Sequence, residues 1–319
     1  MAGTTSLKKE DVVQRRLWHY LPLVIRAPIA GLAVAVGGIQ VWRYLVAANL
    51  AVSPSAPWSA PAMALYLWLY WRYLNGSGWP QPTADARQRD LRARPLSPSM
   101  WRWSLVAGGS FMAAAVPLTL LLQRFFPISR TLPDFLRGGP TPTLLSVLLM
   151  SSLVAGLVEE AAFRGYLQAP IERRYGPVFA ILLTTTVFVL VHLPGRSHVS
   201  PAYLLLVALA SLNYGVLAYL TQSILPGLVL HVSGDAAAFV VLWWFQITIG
   251  PREWHRVPLA QALREPLFLI NCLQLAVLMA LSLWAFRKLA RQYTRHAASP
   301  TPNPSLQRTT PGHSPGCCR

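Results

Sequence analysis

Charge is what this chain most lacks. Of its 319 residues only 12% are charged, while 54% are hydrophobic; about 25% charged is usual for a soluble domain. So few charges cannot cover a water-exposed surface, which excludes the ordinary soluble class and points to an integral membrane protein. Acidic residues are the scarcest charges, 11 against 28 Lys and Arg, leaving a net charge of +17. That excess alone would suit a nucleic-acid partner. The basic residues gather at the ends of apolar spans, however, where they orient a membrane protein, so nucleic acid is set aside and the lipid bilayer is the expected partner. Cysteine is also sparse: Cys272 in an apolar span, and Cys317 and Cys318 near the end. Three cysteines so placed exclude a disulfide framework and zinc-type Cys spacing. Cys317-Cys318-Arg319 lacks the aliphatic pair and final residue of a prenylation signal. No internal repeat of fixed period is evident.

What is abundant is apolar sequence. About eight spans come near the ~20 residues that cross a bilayer: Ala27–Ala47, Trp58–Leu74, Trp101–Leu122, Thr143–Gln168, Val178–Leu193, Ala202–Leu220, Leu228–Ile249 and Pro266–Phe286. The expected fold is therefore all-α, a polytopic bundle of about eight transmembrane helices. The first span has the position of a signal peptide, but its length and the many spans after it favour an uncleaved helix. The bundle is expected over 17–290, between an N-terminal tail at 1–16 and a disordered C-terminal tail at 291–319, rich in Pro, Ser and Thr.

Four basic clusters orient the bundle. They are Lys8, Lys9, Arg15 and Arg16; Arg87, Arg89, Arg92 and Arg94; Arg173 and Arg174; and Arg287, Lys288, Arg291 and Arg295. All fall on one side of an eight-span protein, which makes that side and both termini cytoplasmic. The opposite loops carry fewer (Arg130, Arg137, Arg252, Arg256, Arg264). The Ala/Leu/Arg/Pro-rich composition fits a bacterial inner membrane.

The acidic residues and histidines inside the apolar spans are few, Glu159, Glu160, His192, His231 and Asp235, and with Arg164 they make up nearly all of the intramembrane polar inventory. Charged groups at bilayer depth are costly unless paired, neutralised or wetted, so such a set marks a functional site. Glu160 and Arg164 are at i,i+4 and face each other on a helix, whereas Glu159 is rotated about 100° away. His231 and Asp235 share a face, as do Phe188 and His192. Glu159 and His192 each lie about sixteen residues from the turn at Tyr175-Gly176-Pro177, or about 24 Å along a helix, so they are level in an antiparallel hairpin. His231 lies only a few residues after the turn at Ser223–Gly227. That turn carries no charge and is expected to be buried at membrane depth. The chemistry open to this set is hydrolysis: a carboxylate as general base toward water, and histidines that hold the water or stabilise an oxyanion.

Glu159-Glu160-x-x-x-Arg164, Phe188-x-x-x-His192 and His231-x-x-x-Asp235, in that order, resemble the motifs of the CPBP family. These are the type II CAAX prenyl endopeptidases and bacteriocin-processing or immunity proteins, also called Abi. The resemblance covers roughly 143–244 and extends to flanks such as Phe163-Arg164-Gly165-Tyr166-Leu167. It implies an eight-helix intramembrane endopeptidase acting on a membrane-associated protein or peptide. In that reading Glu159 activates water with help from His192, and His231 and Asp235 form the oxyanion or water-binding side. Glu160 and Arg164 then shape the site. The third motif ends in Asp235 where eukaryotic prenyl proteases carry Asn, so an oxyanion role there needs a protonated Asp or action through His231. A metal-free site is favoured and no cofactor is firmly implied. The zinc alternative uses His192, His231 and Glu159 as ligands. The bland readings make Glu160–Arg164 and His231–Asp235 structural pairs, His192 a packing residue, and the protein an immunity factor, scaffold or proton-coupled transporter.

Overall fold

The computed structural model describes residues 20–126, 140–193, 200–248 and 256–298. Among these there is helix and no strand. The helices are α1 Leu23–Val52, α2 Ser59–Leu74, α3 Ala84–Leu91, α4 Pro98–Leu122, α5 Thr141–Tyr175, α6 Pro177–Val191, α7 Pro201–Thr221, α8 Leu225–Thr248 and α9 Pro266–Ala298. A single helical turn, Leu259–Ala262, precedes α9. Every span read from the sequence is a helix. Five of them (α1, α4, α5, α7 and α9) are long and apolar enough to cross a membrane. α6 and α2 are shorter, with 15 and 16 residues, and α8 runs for 24. Residues 291–298, expected in the tail, continue α9. The expected tail at 1–16 with its basic residues, the remainder of the C-terminal tail, and Arg130, Arg137 and Arg252 lie outside the described residues.

Local signals set the helix ends. Pro98, Pro142, Pro177 and Pro201 stand in the first turns of their helices, where a missing N–H costs nothing. Ser97 caps α4 by accepting from the Met100 N–H. Gly176, at φ +84, ends α5 and lets the chain reverse directly into α6.

α5 is the axis of the bundle. α1 lies along its middle section, and α6, α7, α8 and the short α3 also pack against it. α4 and α9 form a second pair that contacts α7. The outside is apolar: on α9, Leu267, Leu273 and Val277 are 66%, 65% and 56% exposed. A row of that kind is stable only against lipid or another apolar surface. With the apolar helices described above, it makes this an integral membrane protein.

One end of the bundle is closed by a buried polar cluster that the sequence did not foreshadow. Arg92 and Glu172 form a two-pronged ion pair at 2.5 and 3.2 Å, nearly sealed from solvent. Burial pulls the Arg92 guanidinium below its usual pKa, while the adjoining Glu172 holds it up. Glu172 also accepts from the Gln168 and Gln222 amides at 3.2 and 3.3 Å. Gln168 in turn donates to the Gly215 carbonyl. The cluster ties α5, α7 and the segment after α3 together. Arg87 is buried as well, donating to the carbonyls of Gly78 and Pro80 and lying over the Tyr73 ring. Two of the four arginines expected as loop charges that orient the protein are therefore structural.

The same cluster fixes the turn between α7 and α8. Ser223, Ile224, Pro226 and Gly227 are buried. The Ile224 N–H donates to the Arg92 carbonyl at 3.1 Å, and the Ser223 hydroxyl donates to the Arg94 carbonyl at 2.7 Å. The turn thus sits inside the protein, as its lack of charge suggested, and α8 starts from the interior. Removing one partner of a buried ion pair strands the other and costs about 3–5 kcal/mol. Glu172→Leu is accordingly expected to lower the thermal unfolding midpoint of purified protein sharply. An unchanged midpoint would mean that the cluster does not hold the end of the bundle.

Candidate functional site

The site grows from the middle of α5. Residues Ala155–Gln168 are wound as a π-helix rather than an α-helix. Such winding is rare and concentrates at functional positions. It also alters the expectation that Glu159 and Glu160 differ by one α-helical step of about 100°. Close packing holds the section from several sides. A Cβ on Gly156 would come within 2.4 Å of Val232 Cγ2 and 2.9 Å of Val232 N, so α8 lies directly on the α5 backbone there.

Glu160 and Arg164 are both fully buried, with Arg164 Nη1 3.2 Å from Glu160 Oε1. The contact is an ion pair without hydrogen-bond geometry, since Nη1 has no bonded partner. Other groups complete the cage. Arg164 Nη2 donates to the Ser211 carbonyl at 3.2 Å, and the guanidinium lies 4.7 Å from the Phe188 ring and 5.2 Å from the Tyr214 ring. Aromatic faces attract a desolvated guanidinium. On the far side, His231 Nδ1 is 3.0 Å from Glu160 Oε1. A carboxylate paired with arginine can only accept, so Nδ1 carries the proton. The ring is held flat against Tyr214, at 4.9 Å and 14°.

His231 Nε2 then faces the other two acids, 3.8 Å from Glu159 Oε2 and 3.6 Å from Asp235 Oδ2. Both distances exceed a direct hydrogen bond and leave these groups able to engage a third species. Asp235 is the most open of the set, its side chain 32% exposed against 14% for Glu159 and none for Glu160.

His192 follows the last residue of α6. Its Nδ1 donates to the Phe188 carbonyl at 2.7 Å, and its ring lies 4.5 Å from the Phe188 ring. A neutral ring so bonded keeps its lone pair on Nε2. Phe188 also meets Phe163 edge to face at 4.9 Å, which fixes α6 against α5. Glu159 and His192 share the lining of one cleft of about 180 Å³. Its other walls are Leu32, Ala35, Val36, Ile39 and Gln40 of α1, with Phe163 and Val191. The cleft thus places two acid–base side chains on an otherwise largely apolar surface.

All seven residues singled out in the sequence lie on α5, on α8 or at α6 and its end. The structure joins Glu160, Arg164 and Phe188 in one contact set. His231 links Glu160 to Glu159 and Asp235. His192 reaches the set through Phe188 and through the cleft it shares with Glu159. Among the described residues, no group of three or more His, Cys, Asp and Glu side chains is placed to hold a metal ion. His192, His231 and Glu159, the zinc set drawn from the sequence, are therefore not gathered as ligands. Tyr214, the Ser211 carbonyl and the α1 wall were missed. The polar run Ser211-Leu212-Asn213-Tyr214 in an apolar span and the uncharged polar Gln40 in the first were the available signals.

Gly227 is the tightest constraint on the acid cage. Glu160 Oε2 has no bonded partner and lies where a Cβ on Gly227 would come within 2.7 Å of it. Gly227→Ala is expected to destabilise the fold by about 1–3 kcal/mol, read as a lower unfolding midpoint. Gly234→Ala is the control, since its Cβ meets only the flexible Met112 terminus at 3.4 Å. Equal midpoints for the two variants would refute the close approach.

Residues 141–237, just under a third of the chain, match the family model described as Type II CAAX prenyl endopeptidase Rce1-like. The match is consistent with the CPBP/CAAX protease family and supports intramembrane proteolysis in general terms. It spans α5 to the first part of α8, the elements that carry all seven residues. No curated protein and no solved structure matches the chain.

Proposed function

We propose that this protein is an intramembrane endopeptidase that hydrolyses a peptide bond of a membrane-associated protein or peptide, with Glu159 activating the attacking water. One observation carries the reading. Two adjacent glutamates have separate surroundings: Glu160 is sealed against Arg164 and His231, while Glu159 lines a cleft together with His192. A base must be within reach of its substrate, and of the two glutamates Glu159 is the one that lines the cleft.

In the proposed reaction Glu159 takes a proton from a water held beside His192. The water oxygen attacks the carbonyl carbon of the scissile peptide, and the carbonyl oxygen becomes an oxyanion. His231 acts here as the imidazolium: its Nδ1–H is held by Glu160, its ring by Tyr214, and its Nε2–H, on the neighbouring side, is directed at that charge. Asp235 steadies the same imidazole. Preorganised polar groups of this kind are effective because they need no reorganisation in a low-dielectric site. The tetrahedral intermediate then collapses. The C–N bond breaks, the proton held by Glu159 passes to the leaving nitrogen, and an acid and an amine are released. Arg164 and Phe188 take no part in proton transfer; they hold Glu160 and α6 in place. No step runs through a metal. We further place the protein in a bacterial inner membrane with both termini cytoplasmic, on the basic clusters Arg173–Arg174 and Arg287–Arg295.

The test compares membrane proteomes of cells producing the wild type and Glu159→Ala. New C-terminal fragments are expected with the wild type alone, and turnover of any substrate so found should fall at least about a hundredfold in the variant. Fragments of equal abundance would rule out Glu159 as the base. A phenotype that survives in Glu159→Ala would favour a scaffold or immunity protein.

A further inference from the structure

We propose that Gln40 of α1 hydrogen-bonds the main chain of the bound substrate beside the reacting peptide group, and that the cleft admits one bulky apolar side chain next to it. The inference rests on the endopeptidase reading and adds the substrate-binding wall to it.

Gln40 is the anomaly of the first helix. It lies in the run Gly37-Gly38-Ile39-Gln40-Val41-Trp42, near the middle of the 30-residue α1. A primary amide has two donors and two acceptor sites, and leaving them unpaired at such depth is unfavourable. Asn49, a buried amide in the last turn of α1, is satisfied: it bonds the carbonyls of Ser53 and Ala56 and the Ser59 N–H. Two α1 carbonyls are also used, with Tyr66 and Tyr70 donating to those of Gly37 and Val34. Gln40, among the described residues, has no such protein partner. It opens instead onto the cleft that holds Glu159 and His192.

The substrate requires what Gln40 offers. A peptide must leave the helical state before its backbone can be attacked, and its N–H and C=O groups are then unpaired in a lipid-like setting. A glutamine amide satisfies one of each. The apolar part of the cleft suits what flanks them. About 180 Å³ resembles the volume of dry apolar cavities that hold a benzene-sized group, which is one Leu or Phe side chain. Val36 and Val191 on its rim are 56% and 39% exposed, so the cleft opens sideways toward lipid. α1 lies outside the segment 141–237 matched by the family model.

The experiment uses full-length Glu159→Ala protein in lipid nanodiscs, which cannot turn over the probe. The probe is a dansylated heptapeptide of Ala and Val with one central Leu, paired with an analogue whose central amide is an ester. Binding is read by fluorescence. Adding Gln40→Met, a near-isosteric apolar change, is expected to weaken the amide peptide about three- to tenfold. It should also abolish the preference for amide over ester and leave the unfolding midpoint unchanged. Equal affinity with and without Gln40, or binding that a fatty acid displaces equally from both, would overturn the proposal. So would the absence of saturable peptide binding. Cleavage of the probe by the Glu159 protein is followed in parallel. Gln40-dependent binding without any Glu159-dependent cleavage would count against the endopeptidase reading and leave the Gln40 contact standing.

Discussion

The arrangement depends on keeping Arg164 and Glu160 charged and dry in the middle of an apolar bundle. Two fully buried charges are unfavourable unless paired and surrounded by polar or polarisable groups. The protein supplies the Ser211 carbonyl, the rings of Phe188 and Tyr214, and the Nδ1 proton of His231. They come from three helices: Phe188 from α6, Ser211 and Tyr214 from α7, and His231 from α8. Satisfying one ion pair therefore draws α5, α6, α7 and α8 to a common point, and the same contacts set the distances among the remaining acid–base groups. Stability and site geometry have a single origin.

The sealed end of the bundle serves this centre from a distance. α8 could not bring His231 to Glu160 if the turn before it lay in water, because too few residues separate the two. The Arg92–Glu172 pair, the Gln168 and Gln222 amides, and the bonds from Ser223 and Ile224 to the 92–94 backbone let that turn sit inside. Gly227 then passes against Glu160 Oε2 with no room for a side chain. Two buried ion pairs in sequence hold the motif that begins α8.

Much of this was legible in the sequence because the relevant signals are local. Apolar length gave the helices, and scarcity of charge made the intramembrane Glu, Arg, His and Asp conspicuous. The spacing of Glu160 and Arg164 gave their pairing, even though the helix is π-wound where an α-helix was expected. The uncharged turn before α8 signalled its burial. Other features were not local. Glu172 and Arg92 read as ordinary residues at span ends, since nothing near either one shows that they meet across 80 positions. The bond from His231 to Glu160 spans 71 positions and depends on the depth of the turn. Tyr214 looked like one aromatic among many, and Gln40 like a stray polar residue. The count of membrane crossings also exceeds what periodicity can give, because α2 and α6 are apolar but short.

At the centre is a division of labour between neighbours: Glu160 belongs to the fold and Glu159 to the chemistry. The most direct measurement is the unfolding free energy of Glu159→Gln and Glu160→Gln side by side in the same lipid. Loss of charge at Glu160 strands a buried arginine and should cost about 3–5 kcal/mol. The same change at Glu159, which lines the cleft and stands 3.8 Å from His231 without a direct hydrogen bond, should stay within about 0.5 kcal/mol of the wild type. Equal destabilisation of the two variants, or the reverse order, would contradict the account.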